Sequence, residues 1–206
     1  MDDPVKPIAV VRGASSTAVE EMFRALVDLW RPDIRLAGVF AEGHGLANRL
    51  CNAGFLRNAA TGERFSIFHD LGPGTAACHL DGTGAVAAAE AVQRDIAAGC
   101  DLVLLSKFGK LEAVGDGLAG AFRAAIEARV PLLTSVSPAL DEAWRRFAGR
   151  SFVVLPADLV EIDAWWHAVR TVTPATPLLG HREQRLGPDL GRDSRNARAV
   201  LYKGPR

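Results

Sequence analysis

The apolar run at residues 102–105, Leu-Val-Leu-Leu, constrains the fold more than any other part of the sequence. An unbroken run of this kind is typical of a strand buried on both faces, as in a parallel sheet covered by helices on both sides. Polarity then changes abruptly, because Ser106, Lys107, Lys110 and Glu112 follow directly. Ligands of open parallel sheets bind outside the carboxyl ends of the strands. The two lysines at this position therefore predict a site for an anionic ligand.

The rest of the chain alternates between short apolar runs and segments whose apolar residues recur at helical spacing. This alternation predicts an α/β fold with a three-layer, mostly parallel sheet. A short loop containing Gly62 separates two further runs and predicts a β-hairpin, an antiparallel excursion near the edge of the sheet. The predicted strands are residues 8–11, 34–41, 55–59, 64–68, 102–105, 131–136 and 152–155, and the predicted helices are 17–30, 83–98, 118–128, 141–147 and 159–169.

Composition argues against several classes of function. The 206 residues contain 24 Lys+Arg and 24 Asp+Glu, so no net charge favours a nucleic acid or a membrane surface. The apolar runs are too short to cross a bilayer, and the first residues do not resemble a signal peptide. The three cysteines have no CxxC spacing, which argues against a disulfide framework and a four-thiolate zinc site. We therefore expect a cytoplasmic protein that binds neither nucleic acid nor membrane.

The turn after the first predicted strand, residues 12–17, suits an anion. Thr17 and Glu20 have capping-box spacing, which predicts that a helix begins at Thr17. Backbone N–H groups at a helix N-terminus bind anions. The turn is not a Walker A loop, because the Gly-Lys-Ser/Thr ending is missing, and a capped turn without a ligand is the alternative interpretation. The candidate ligand contacts in this turn are Arg12, Ser15, Ser16 and Thr17.

Residues 69–81 are too rich in glycine and proline for regular structure. Successive backbone N–H groups in such a loop form a nest for an oxyanion, and Gly72, Gly74 and Thr75 are candidate contacts. A soft metal ion could be bound in the same loop by His69, Cys78 and His79 with Asp70 or Asp81, although adjacent Cys and His side chains rarely point at one ion. A plain connector, an anion-binding loop and a metal site all remain open.

Three of the predicted turns lie at one edge of the sheet. Crossovers between parallel strands are right-handed, which brings together the turns after residues 11, 105 and 134. Ser135 and Ser137 have no His–Asp partners in a recognisable order, so a hydrolase triad is not expected. Glu112 is either a ligand contact or a structural residue that pairs with Lys110 or caps the next turn. The side chains expected to converge in one small anion site are Arg12, Lys107, Lys110, Ser135 and Ser137.

Residues 171–206 differ in composition from the domain predicted at residues 1–170. They contain several arginines and few apolar residues, which is typical of an extended or partly disordered tail. The adjacent Trp165 and Trp166 point in different directions from a helix. They are either a contact surface, as in a homo-oligomer, or covered by the tail.

Several segments resemble a bacterial family of unknown function whose members are often encoded beside molybdate-transport genes. The resemblance covers residues 7–165, and Lys-Phe-Gly-Lys-x-Glu at residues 107–112 is its most specific part. That family is distantly similar to the THEP-like P-loop nucleoside triphosphatases. The resemblance implies a P-loop-like scaffold and a role in molybdenum handling, with molybdate or a nucleotide as the ligand.

The sequence also departs from the P-loop pattern that the resemblance implies. Ser106 and Lys107 stand where the related enzymes would carry an Asp–Glu pair for magnesium and water, and the first turn lacks the Walker lysine. Three functions follow as alternatives. The first is a non-enzymatic binder of a molybdate-like oxyanion or a nucleotide phosphate. The second is a nucleotide-dependent phosphohydrolase, in which Lys107 or Lys110 replaces the missing lysine and Glu112 or Asp116 serves as base or metal ligand. The third is a protein-interaction module.

Overall fold

The computed structural model describes residues 5–45, 53–68 and 82–172, which all fall in one compact unit. The strands are β1 Ile8–Arg12, β2 Leu36–Gly43, β3 Ala53–Asn58, β4 Arg64–Ser66, β5 Leu102–Phe108, β6 Leu132–Val136 and β7 Phe152–Pro156. The helices are α1 Ser16–Trp30, α2 Gly82–Ala98, α3 Lys110–Ala113, α4 Ala119–Glu127, α5 Asp141–Ala148 and α6 Leu159–Val172, and a 3₁₀ turn at Pro138–Leu140 precedes α5.

The seven strands form one sheet in the order β4-β3-β2-β5-β6-β1-β7. The five strands from β2 to β7 in this order run parallel, whereas β3 and β4 form an antiparallel hairpin on the outer side of β2. The predicted α/β fold and its hairpin at the edge of the sheet are therefore confirmed. The boundary predicted at residue 170 stays a prediction.

Helices cover both faces of the sheet. Val103 and Leu105 of β5 belong to the core beneath α2, α4 and α5, while Leu102 and Leu104 belong to the core beneath α1 and α6. Successive side chains of a strand point to opposite faces, so two apolar layers require the unbroken run that the sequence shows. The predicted three-layer arrangement is confirmed. In the ranges that the structure covers, no helix is long and apolar enough to cross a membrane.

Both cores contain buried aromatic side chains. In the core under α5, the ring of Phe108 lies edge-on to those of Phe122 and Trp144 at centroid distances of 5.6 and 5.1 Å. Cys100 is buried in the same core, and burial raises the pKa of its thiol to about 11, as suits a small core residue rather than a nucleophile.

Trp165 and Trp166 are both buried, which contradicts their interpretation as a contact surface. The indole N–H of Trp165 donates to the carbonyl of Lys6 at 3.0 Å. The ring of Trp166 lies 6.1 Å from that of Trp30 in α1. Neighbouring positions of a helix can both be buried when the helix lies in a groove between a sheet and a second helix, as α6 does here.

Helix α1 begins at Ser16 and is capped by Ser15, so the predicted start at Thr17 is wrong by one residue. Ser15 has an extended backbone, and its Oγ accepts from the N–H of Ala18 at 3.3 Å. A serine at this position stabilises a helix by accepting from the third following residue. Thr17 therefore lies inside the first turn.

Candidate functional site

The carboxyl ends of β1, β5 and β6 lie side by side, as predicted. Val11 of β1 is opposite Ser135 of β6, and Leu105 of β5 is opposite Thr134. The chain leaves β1 toward α1 on one face of the sheet and leaves β6 toward α5 on the other face. Adjacent strands whose connections depart to opposite faces form a topological switch point, where open α/β sheets bind ligands. The candidate site is therefore at the ends of β1 and β6.

Arg12 ends β1 at this switch point and is paired with Asp141, the first residue of α5. Nη1 of Arg12 donates to Oδ2 of Asp141 at 3.0 Å, and Nη2 donates to Oδ1. Nε of Arg12 is buried without a hydrogen-bond partner. The guanidinium is thus neutralised by a carboxylate of the chain itself, on the side of the sheet that α5 covers. Sequence reasoning missed Asp141, which could be recognised only as an acidic residue at the start of a helix.

Lys107 lies near α1, on the other side of the sheet. Its charge and that of Arg24 act to lower the pKa of Glu20 in α1, although burial raises that pKa by more. Lys107 is exposed and belongs to β5, which continues to Phe108 with a register shift after Leu105. The acidic neighbour of Arg12 is Asp141 in α5, and the acidic neighbour of Lys107 is Glu20 in α1. These two helices cover opposite faces of the sheet. This argues against one small cavity that contains both cations.

Ser135 ties β6 to the irregular end of β5. Its Oγ donates to the carbonyl oxygen of Ser106 at 2.8 Å, beside the position where the register of β5 shifts. Ser106 is buried, while Ser135 is partly exposed. The hydroxyl proton of Ser135 is therefore used within the sheet, and only the oxygen lone pairs remain for a ligand. Ser137 is exposed immediately before the 3₁₀ turn.

Glu112 is buried and holds the chain that follows β5. Its Oε2 accepts from the N–H of Gly109 at 2.8 Å, and its Oε1 accepts from the N–H of Leu118 at 2.9 Å. These bonds agree with the structural alternative for Glu112, in which it caps the next turn, and its role as a ligand contact stays a prediction. Oδ1 of Asp116 similarly accepts from the N–H of Gly117 at 2.7 Å. Lys110 is the exposed first residue of α3.

The candidate contacts Gly72, Gly74 and Thr75 lie outside the described residues, as do the possible metal ligands Cys78 and His79. Ser15, Ser16 and Thr17 are exposed at the start of α1. Across residues 5–45, 53–68 and 82–172, no group of three or more His, Cys, Asp or Glu side chains is arranged to hold a metal ion.

The family described as Protein of unknown function (DUF2478) matches residues 8–165. The chain belongs to this DUF2478 family. The match extends from the first residue of β1 into α6 and includes the whole switch point. Membership of a family of unknown function agrees with the resemblance seen in the sequence, whereas the further likeness to THEP-like enzymes stays a prediction.

A curated relative, the Molybdenum import ATP-binding protein ModC 2 of Bradyrhizobium diazoefficiens, is 37% identical over 144 residues. The matched region covers 68% of this chain and 16% of that protein. The chain thus spans only a small part of the relative's length. No solved structure matches the chain.

Proposed function

We propose that this chain binds a small anionic ligand at the carboxyl edge of the sheet, on the side of α1. The ligand is the phosphate of a nucleotide or a tetrahedral oxyanion such as molybdate. The observation that carries this proposal is the position of the exposed Lys107 at the carboxyl end of β5, the strand next to β6 at the switch point. The charge of Lys107 also acts on Glu20 in α1, which agrees with a position on the side of α1.

The start of α1 offers donors that suit such a ligand. The first N–H groups of a helix have no partner within the helix, and the helix dipole adds positive potential there. The side chain of Ser15 satisfies the N–H of Ala18, while the hydroxyls of Ser16 and Thr17 are exposed beside it. Backbone donors, hydroxyls and one ammonium group together form a set that binds phosphate-like anions.

The curated relative supports the choice of ligands. Its name describes an ATP-binding protein of molybdenum import, so both a nucleotide and molybdate are reasonable ligands of the region that it shares with this chain. A role in molybdenum homeostasis, a cytoplasmic location and a P-loop-like ancestry of the scaffold are parts of this proposal. The absence of nucleic-acid and membrane partners stays a prediction from the balanced charge.

Binding without turnover is favoured over the phosphohydrolase alternative. A general base needs a free oxygen within reach of the attacking water. Both oxygens of Glu112 accept backbone N–H groups, whereas Asp116 uses only Oδ1. Of the two carboxylates considered as bases, Glu112 is therefore disfavoured. Release of phosphate from ATP or GTP with magnesium would establish the alternative.

Calorimetric titration of the full chain with molybdate, tungstate, sulfate, phosphate and ATP tests the proposal. We expect at least one anion to bind more tightly than the millimolar range. Lys107→Ala should then weaken binding by about tenfold, which corresponds to about 1.4 kcal/mol. Lys6→Ala is the matched control, because it removes the same charge two residues before the amino end of β1.

Two results would contradict the proposal: no anion binding below the millimolar range, or equal affinities of the Lys107→Ala and Lys6→Ala variants. Glu20→Gln is expected to act in the opposite direction. It removes a negative charge beside Lys107 and should strengthen anion binding several-fold at low ionic strength.

A further inference from the structure

A second cation lies at the carboxyl edge of the sheet besides Lys107. Arg12 is the last residue of β1, and residues 13–15 alone separate it from α1, beside which the proposed anion site lies. Its guanidinium is bound by the carboxylate of Asp141, the first residue of α5. A planar guanidinium that makes two parallel hydrogen bonds is also the group with which proteins bind phosphate. Asp141 therefore occupies an edge of the guanidinium that suits a phosphate group equally well.

The pair formed by Arg35 and Asp101 shows how an arginine away from the switch point is held. These residues precede β2 and β5 at the amino edge of the sheet, and Nε and Nη2 of Arg35 both donate to the carboxylate, at 3.2 and 2.6 Å. The backbone N–H of Arg35 donates to the same carboxylate at 2.8 Å. Nε of Arg12, in contrast, is buried and has no hydrogen-bond partner among the described residues. The pair at the switch point thus makes fewer hydrogen bonds, so its carboxylate is the easier one to replace.

The register of the strands gives the separation of Arg12 and Lys107. Thr134 of β6 lies between Val10 of β1 and Leu105 of β5. Adjacent strands are about 4.8 Å apart, so the backbones of β1 and β5 are about 10 Å apart at this level. Arg12 and Lys107 each lie two residues farther toward the carboxyl edge. A single tetrahedral oxyanion is too small to contact both cations, and a ligand that does so needs two linked anionic groups.

We propose that Arg12 is a second anion contact of the proposed site, and that a diphosphate group displaces Asp141 from it. This inference rests on the proposed function, in which Lys107 and the start of α1 bind the first phosphate. The second phosphate extends over the end of β6 and replaces the carboxylate on the guanidinium. The side chain of Asp141, which is already 28% exposed, then turns toward solvent. The ligand is therefore pyrophosphate or a nucleoside diphosphate rather than a single oxyanion.

Asp141 acts as an internal competitor in this arrangement. A ligand that reaches Arg12 breaks an ion pair of the chain, and it has to offer the guanidinium an anionic group in return. A diphosphate does so with its second phosphate while its first stays beside Lys107. A single phosphate at Lys107 leaves the pair intact and makes no contact with Arg12. The pair thus discriminates between the two classes of anion.

Calorimetric titration of the full chain with pyrophosphate, ADP and orthophosphate, in about 0.15 M salt, tests this inference. Arg12→Gln should weaken the binding of the two diphosphates by about tenfold and leave orthophosphate affinity within about twofold of its natural value. Asp141→Asn should strengthen diphosphate binding by about tenfold, because it removes the competitor. A pair with a structural role only would weaken binding in both variants. The diphosphate that binds more tightly identifies the source of the group.

Two control variants separate displacement from general effects of charge and stability. Glu142→Gln removes the same charge as Asp141→Asn from the next residue, whose side chain is 86% exposed. It should change diphosphate affinity by less than about twofold, because an exposed charge is screened at this salt concentration. Asp101→Asn breaks the pair with Arg35 at the opposite edge of the sheet and should likewise leave diphosphate affinity unchanged. Circular dichroism verifies that each variant is folded, and Asp141→Asn carries the test if Arg12→Gln is not.

The possible outcomes distinguish this inference from the proposed function. Diphosphate binding that depends on Lys107 but is not strengthened by Asp141→Asn would overturn the inference alone. Equal strengthening by Asp141→Asn and Glu142→Gln would overturn it as well, because the effect would then be one of charge and not of displacement. If no anion binds below the millimolar range, the proposed function fails, and the inference fails with it.

Discussion

The carboxylate of Asp141 neutralises the guanidinium of Arg12 across the topological switch point. Arg12 is the last residue of β1 and Asp141 is the first residue of α5, so this pair joins two elements that are distant in the chain. Side chains of both residues are largely covered, with exposed fractions of 23% and 28%. A partly buried bidentate pair of this kind fixes geometry more firmly than a surface ion pair. It also means that Arg12 reaches a ligand only by giving up Asp141.

Asp141→Asn is expected to destabilise the fold. The guanidinium of Arg12 would lose its counter-charge while its Nε already lacks a partner. Removing one member of a largely covered pair costs about 1–3 kcal/mol. Chemical denaturation measures this change. The control is Glu142→Gln, where an 86% exposed side chain lies 3.8 Å from Arg146 and a change below about 0.5 kcal/mol is expected. Equal losses in both variants would contradict this view of Arg12.

Glu112→Gln is expected to be more damaging than its chemical similarity suggests. Both carboxylate oxygens accept backbone N–H groups, and an amide NH₂ cannot accept from either Gly109 or Leu118. One buried N–H would be left without a partner, at a cost of about 1–3 kcal/mol. Denaturation by urea, with the exposed Glu90→Gln in α2 as control, measures the difference. An unchanged midpoint would show that Glu112 has no structural role.

Gly38→Ala is expected to prevent normal folding. Gly38 has a φ of +124°, and an added Cβ would lie 1.9 Å from the carbonyl oxygen of Leu104 in the neighbouring strand β5. Gly149→Ala is the matched control, because its φ is +72° but nothing lies within 4 Å of the added carbon. The control should lose only the cost of holding an alanine at φ +72° and ψ −150°, about 1–3 kcal/mol, without any steric clash. Soluble expression and thermal melting distinguish the two, and similar melting temperatures would contradict the close approach of β2 and β5.

Glu20 is expected to make stability depend on pH in a mildly acidic range. Burial raises the pKa of its carboxyl above the ordinary value, despite the opposing charges of Lys107 and Arg24. The folded state therefore holds this proton more tightly than the unfolded chain does. The resulting stability is present below the ordinary pKa and is lost as the pH rises through the raised pKa. Denaturation curves across this range should show the loss, and Glu20→Gln should remove that part of the pH dependence.

The strands and helices were predictable because each has a clear hydrophobic pattern. The unbroken run of β5 indicated burial on both faces, and the two cores confirm it. The hairpin was likewise recognisable from the loop around Gly62, which has a φ of +79°. Patterns of this kind depend on neighbouring residues only, so a sequence is sufficient to reveal them.

The side chains of the candidate site were harder to predict, because their partners are distant in the chain. Lys107 lies within β5, beside a register shift between Leu105 and Phe108. The sequence around Lys107 contains no local pattern that predicts such a shift. Arg12 appeared to be a free cation because Asp141 lies on another element. The cap predicted at Thr17 is two residues from the observed cap, Ser15, since Ser15, Ser16 and Thr17 are all suitable caps and only backbone geometry distinguishes them.

The two bonds of Glu112 close a ring of backbone from Gly109 to Leu118, which starts at the end of β5 and finishes at the start of α4. A ring closed in this way resists stretching, because lengthening it would break a hydrogen bond to a buried carboxylate. Glu112 therefore couples the position of the chain that follows Lys107 to the start of α4, on the opposite face of the sheet from α1.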